Sequence, residues 1–112
     1  MAYSIVISLA KRRLSLMEGQ KAVKTYPVGI GTPMTATPTG LFRIISKANN
    51  PGGPYGARWL GLSKPHYGIH GTNNPQSIGK LVSKGCIRMY NQDIIDLADK
   101  VAIGTKVTIK QT

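Results

Sequence analysis

Tyr3-Ser4-Ile5-Val6-Ile7-Ser8-Leu9 is the stretch on which the fold class turns. Tyr3, Ile5, Ile7 and Leu9 alternate with Ser4, Val6 and Ser8, the period-two pattern of a half-buried strand with one strongly apolar face. Lys11-Arg12-Arg13 follows as a turn, and Leu14 and Leu16 begin a shorter strand. Glu18-Gly19-Gln20 makes a second turn, after which Ala22 to Ile30 resumes β-branched alternation. Residues 3–30 therefore predict a meander of hairpins.

Further along, Thr32 to Gly40 is rich in Thr and Pro and is irregular, because proline fixes φ and removes a donor. Leu41, Phe42, Ile44 and Ile45 predict another strand, and Asn49 to Gly56 a long loop built on Asn50-Pro51-Gly52-Gly53-Pro54. Arg58 to Leu62 and Tyr67 to His70 predict short strands. Only Ile94, Leu97, Ala98 and Val101 carry a helical period, with Asn91 as the expected N-cap, Asp93 in the first turn and Gly104 past the end. Thr105 to Lys110 closes the chain as a strand. The expectation is a single mainly β domain over residues 1–112, a sandwich or barrel with one short helix after Cys86.

Composition narrows the function classes. The chain has 112 residues, 41% of them hydrophobic, enough for one modest core. Fifteen Lys and Arg face four Asp and Glu, a formal charge of +11. Such a surface attracts polyanions, whether nucleic acid, acidic lipid or anionic wall polymers. No aromatic-interleaved basic strand or recognition helix is visible, which argues against nucleic acid. No run approaches a membrane span. In Met1 to Arg13 the basic residues follow the apolar run instead of preceding it, so no targeting segment is expected there. A single cysteine excludes internal disulfides and multi-cysteine zinc sites.

That cysteine, Cys86, stands in Ser83-Lys84-Gly85-Cys86-Ile87-Arg88-Met89-Tyr90. An unpaired cysteine is most often a small buried hydrophobe. Here Gly85 permits a strained turn or a close ligand approach, and Lys84 and Arg88 are expected to favour thiolate. In an extended chain Cys86, Arg88 and Tyr90 share one face while Ile87 and Met89 point to the core. A thiol nucleophile needs a base, and imidazole is the natural one. Of the two histidines, His70 in Gly68-Ile69-His70-Gly71-Thr72 is the expected base, and His66 the expected cleft-lining residue. Backbone N–H groups of Lys84, Gly85 and Cys86 are candidates for an oxyanion site. Asp93, Asp96 and Asp99 read as solvated helix charges and offer no obvious third member; a backbone carbonyl could orient the imidazole equally well, since that role needs only an acceptor. Pro65, Gly68 and Gly71 oppose a helix that could hold His66 and His70 on zinc. No metal or cofactor is expected.

With His70-Gly71-Thr72, and with Ser83-Lys84-Gly85-Cys86-Ile87-Arg88-Met89 bringing the cysteine 16 positions after the histidine (70 to 86), the chain resembles the L,D-transpeptidase catalytic domain. Thr37-Pro38-Thr39-Gly40 before the strand Leu41 to Ile45 is a second point of likeness. The resemblance runs from about Ile5 to Ile109. It implies a mainly β fold with cysteine and histidine in one cleft, and an acyl transfer on bacterial peptidoglycan stem peptides. Cys86 would attack the carbonyl of the third stem residue and expel the terminal D-alanine. His70 would carry the proton, with the carbonyl of Gly71 orienting it, and a second stem's amine would complete a 3→3 cross-link. Arg88, His66, Tyr67 and Ser83 would bind substrate. Many relatives have histidine where Lys84 stands, so no role of that histidine carries over. The implied location is extracytoplasmic, the cell wall or spore envelope. Two other readings remain open at this stage: an L,D-carboxypeptidase using the same pair, and a basic wall-polymer-binding module.

Overall fold

In the computed structural model, which describes residues 2–112, the alternation opens as strand β1 (Tyr3–Ser8), with Leu9 already in the turn. Next come β2 (Arg13–Glu18) and β3 (Lys21–Pro27), paired antiparallel as the meander predicts. The expected strand from Ala22 to Ile30 is in fact two. Pro27 ends β3, and after Val28 and Gly29 the short β4 (Ile30–Gly31) joins a different sheet. Strand β5 (Gly40–Asn49) is longer than the apolar residues alone suggested. After it come β6 (Arg58–Leu62), β7 (Gly68–His70), β8 (Leu81–Ser83), β9 (Ile87–Arg88), helix α1 (Asn91–Lys100) and β10 (Lys106–Lys110).

Eight strands form one sheet in the order β3-β2-β1-β10-β5-β6-β7-β9, and β4 and β8 pair as a separate parallel ribbon. The last strand, β10, inserts beside the first, parallel to β1 and antiparallel to β5. The sheet curls so far that its two edges meet. Just beyond β3, Gly29 exchanges backbone hydrogen bonds of 2.8 and 2.9 Å with Arg88 in β9. The protein is a mainly β half-barrel, and α1 packs against its concave side.

Ile5, Ile7, Leu14, Leu16, Val107 and Ile109 line that concave side from one half of the sheet, and Ile44, Leu60, Ile69, Ile87 and Met89 from the other; most are wholly inaccessible to solvent. Helix α1 contributes Ile94, Leu97 and Ala98. Burial of each such large side chain favours folding by about 1.5–3 kcal/mol before chain entropy is charged against it. The helix is tied down at its C-terminal end and at its middle. Lys47 of β5 donates to the carbonyls of Ala98 and Val101 at 2.6 and 2.8 Å, satisfying acceptors that a helix C-terminus leaves open. Asp96 gathers Lys24 (2.7 Å), the Tyr26 hydroxyl (2.5 Å) and Lys100. It is thus more than a solvated helix charge, because it anchors α1 to β3. These donors hold its carboxyl far below the ordinary carboxylate range.

Asp96→Ala is expected to destabilise the fold by about 1–2 kcal/mol, because the Tyr26 side chain is buried and its hydroxyl loses its acceptor. For the wild type, this depressed carboxyl contributes stability that is present above its unfolded-state value of 3.8 and is lost as pH falls below it. Thermal melts of the two proteins at pH 7 and below pH 3.8 should therefore converge towards acid; a constant difference would contradict this account.

Candidate active site

Strands β7 and β9 run parallel and adjacent, with His70 opposite Arg88, so His70, Cys86 and Arg88 come to one end of the curled sheet. Ile87 and Met89 are fully buried, Cys86 and Arg88 are partly exposed and Tyr90 is exposed, as the extended reading of this segment requires. A cleft of about 510 Å³ opens there, lined by His66, His70, Ser83, Lys84, Cys86 and Arg88, with Tyr55, Pro54 and Val82 at its walls.

Gly85 makes the turn before Cys86 possible. Its φ of +116° is unfavourable for an L side chain, and a Cβ there would run into the Tyr67 ring at 2.5 Å. Ser83 fixes the same turn. Its hydroxyl donates to the Cys86 carbonyl at 2.6 Å and accepts from the Gly85 N–H at 3.1 Å. Two expectations change as a result. Ser83 borders the cleft, but its hydroxyl is engaged inside the turn, not offered to substrate. The Gly85 N–H points to Ser83, which leaves the amides of Lys84 and Cys86 as the oxyanion candidates. Tyr67 packs over Gly85, so its ring also shapes the turn before Cys86.

The Cys86 thiol lies 3.6 Å from the His66 carbonyl. Burial pushes the thiol above its ordinary value of 9.0, with a backbone contact to Gly68 and the Arg88 charge pulling weakly the other way. The expected thiolate is therefore not the resting state, because desolvation outweighs the neighbouring cation. Lys84 is exposed and does not enter the balance. His66 sits in the turn before β7, with φ +72°, and not in a strand with His70. It reaches the cleft all the same.

His70 is 4% exposed, and its Nδ1 is 2.5 Å from the carbonyl of Gly71. A carbonyl can only accept, so Nδ1 carries the proton and the neutral ring keeps its lone pair on Nε2. Desolvation lowers the His70 pKa from its ordinary 6.5; the Gly71 contact opposes this and Arg88 adds to it. Thiol and imidazole thus rest as a neutral pair. Proton transfer between them would accompany bond formation, not precede it.

Alkylation of Cys86 by iodoacetamide should accordingly keep rising with pH throughout the range from 6.5 to 9.0 without a plateau, because the thiolate fraction grows until pH passes a pKa held above 9.0. A rate that saturates near pH 7 would show a preformed thiolate and contradict the burial argument.

Three residues of this site escaped the sequence reading. Trp59 lies opposite His70 in the β6–β7 pairing, and its indole stacks on the imidazole with centroids 5.6 Å apart and planes at 15°. Its ring occupies a slot that Gly61 and Gly68, paired across the same two strands, leave open. Tyr55 meets both rings edge-on, at 5.4 Å from Trp59 and 5.1 Å from His70. Asn91 was expected as an N-cap. Tyr90 instead occupies that position, and Asn91 is the first helical residue, with its side chain turned to the strands. Its Oδ1 accepts from the amides of Ala57 (3.0 Å) and Thr72 (3.1 Å), and its Nδ2 donates to the Thr72 carbonyl at 3.0 Å. A Cβ at Gly56 or Gly71 would collide with it. Asn91 thus fixes the loop whose Gly71 carbonyl orients His70.

The cleft thus brings one thiol, one guanidinium and the imidazoles of His66 and His70 together at the end of a curled β-sheet. The family model described as the L,D-transpeptidase catalytic domain (YkuD) matches residues 2–109. The L,D-transpeptidase named YkuD of Bacillus subtilis (strain 168) is 58% identical over 109 residues, 97% of this chain and 66% of that protein. Its namesake in Bacillus licheniformis is also 58% identical, over 96% of this chain and 65% of that protein. Among solved structures, the catalytic domain of the Enterococcus faecium L,D-transpeptidase superposes with a TM-score of 0.83 at 24% identity, covering 96% of both chains. An L,D-transpeptidase from Mycobacterium smegmatis superposes with a TM-score of 0.85 at 17% identity, covering 96% of this chain and 58% of that one; these two likenesses speak to the fold alone. The chain belongs to the L,D-transpeptidase family. It spans about two thirds of the length of the two Bacillus proteins.

Proposed function

We propose that the protein is a peptidoglycan L,D-transpeptidase that forms 3→3 cross-links through a thioester on Cys86. The observation that carries this reading is the cleft that holds Cys86, a neutral His70 with its proton placed on Nδ1, and Arg88. His70 Nε2 takes the thiol proton as sulfur attacks the carbonyl of the third, L-centred stem residue. The amides of Lys84 and Cys86 receive the developing oxyanion. The carbonyl–nitrogen bond then breaks, and His70 returns the proton to the departing D-alanine. A side-chain amine of a second stem attacks the thioester, His70 removes its proton, and the thiol is restored. Atoms balance without metal or cofactor: one amide is broken, one amide is formed and one D-alanine is released.

Arg88 is half-buried beside the thiol and suits a carboxylate of the donor stem, a charge-assisted contact strengthened by partial desolvation. His66 lines the mouth of the same cleft. The site of action is extracytoplasmic, where such stems occur. No helix among the described residues is long and apolar enough to cross a membrane.

Incubation with a tetrapeptide stem, followed by mass spectrometry, tests the reading. Dimers accompanied by free D-alanine are the expected products. Tripeptide with no dimer would identify the carboxypeptidase chemistry of the same pair, and unchanged substrate would leave only a binding module.

A further inference from the structure

Five of the fifteen Lys and Arg, namely Lys11, Arg13, Arg43, Lys106 and Lys110, stand on the convex face of the half-barrel or in the turn above it. Along the convex face of β2, β1, β10 and β5, strand alternation turns Arg13, Ser15, Met17, Ser4, Val6, Ser8, Lys106, Thr108, Lys110, Leu41 and Arg43 away from the core. The register sets these side chains in rows. Arg13, Ser8 and Lys110 form one row across three strands, and Thr25, Ser15, Val6, Thr108 and Leu41 form the next. Lys106 stands directly opposite Arg43. Lys11, in the turn above the first row, joins Arg13 and Lys110 around a concavity of about 290 Å³ floored by Val6, Ser8 and Ser15, with Thr112 at its margin.

Among the described residues no Asp or Glu faces this surface. Asp93, Asp96 and Asp99 belong to α1 on the concave side, and Glu18, opposite Tyr3, takes the inward parity of Leu14 and Leu16. Like charges directly opposite in a sheet are destabilising, so Lys106 beside Arg43 carries a local cost that an external anion would remove. By strand geometry Arg13 and Lys110 are about 10 Å apart across two strands, and Lys106 and Lys110 about 13 Å apart along one. Cations thus stand at the corners of a field floored by hydroxyls.

We propose that this convex face is a second binding surface, separate from the Cys86 cleft, for a linear phosphodiester polymer that lacks bases. Arginine and clustered lysine match phosphate oxygens, and Ser8, Ser15 and Thr108 offer hydroxyls to the sugar-alcohol or sugar units between phosphates. Among the described residues the face carries no aromatic side chain on which nucleobases could stack. Val6, Met17 and Leu41 are the apolar side chains of the face, interspersed among its cations and hydroxyls. Bound this way, the polymer would hold the enzyme to an anionic matrix while leaving the cleft open.

The test compares two triple variants of equal net charge. Arg13→Gln/Lys106→Gln/Lys110→Gln empties the face, whereas Lys21→Gln/Lys64→Gln/Lys80→Gln removes three cations elsewhere. Binding of poly(glycerol phosphate) is measured against salt, beside an oligothymidylate of equal phosphate number and phosphatidylglycerol vesicles. The first triple should lose at least about tenfold in affinity, and its plot of log K against log salt should flatten by about 2. The second should lose far less. Both should keep wild-type Cys86 alkylation rates, so failure here is separable from failure of the acyl-transfer reading. Equal losses in the two triples would overturn the proposal, as would nucleotide or vesicle binding as tight as polymer binding.

Discussion

Cys86→Ala is expected to abolish both dimer formation and D-alanine release while leaving the thermal melt within about 1 kcal/mol of wild type. The thiol is half-buried at the cleft wall and fills no core position, since the neighbouring core places belong to Ile87 and Met89. Truncation there should act on chemistry far more than on packing. No other thiol exists in the chain to take over. Turnover in the alanine variant at even one part in a hundred of the wild-type rate would remove the sulfur from the mechanism.

His70→Ala should lower the acylation rate by roughly 10²–10⁴, the usual contribution of a positioned general base, or about 3–5 kcal/mol of transition-state stabilisation. Because thiol and imidazole rest neutral, the loss should be greatest near pH 7. It should shrink as pH rises past 9.0 and solvent ionises the thiol directly. Stopped-flow acylation across pH separates this from a structural defect, which would depress every pH alike. The His70 ring also stacks on Trp59, so part of the loss will reflect relaxation of the aromatic box. Trp59→Phe keeps an aromatic face against the imidazole and should recover most of the rate that Trp59→Ala loses.

Much of the β architecture was readable because alternation is a local signal. Ile5, Ile7, Leu14 and Leu16 point inward where period two places them, and Ile94, Leu97 and Ala98 face the core at helical spacing. Short pairings were not readable. Strand β8 has three residues and β4 two, and what defines them is their partner, not their own pattern. The Gly29–Arg88 bridge that closes the sheet is likewise set by curvature accumulated over eight strands.

The site divides in the same way. Cys86, His70 and Arg88 could be named because their residue types carry chemistry and their parity could be counted. Trp59 and Tyr55 were missed because their contact with His70 depends on which strands pair. Predicting the hairpin of Arg58–Leu62 with Tyr67–His70 in register would have placed Trp59 beside the imidazole. The side chain of Asn91 was assigned to the wrong partner. Asparagine before a helix suggests a cap, but the donors it meets belong to Ala57 and Thr72, 34 and 19 positions away in sequence. Thiol ionisation was misjudged for a related reason. Nearby cations are visible in a sequence, whereas the depth of burial that outweighs them is not.

The intact mass of the protein, taken seconds after mixing with a tetrapeptide stem and followed by peptide mapping, bears most directly on the acyl-transfer account. The expected species is heavier by the tripeptide acyl group, lacks the terminal D-alanine, and carries the addition on Cys86 alone. A protein that turns the stem over with no addition at Cys86, or with one placed on another residue, would contradict it.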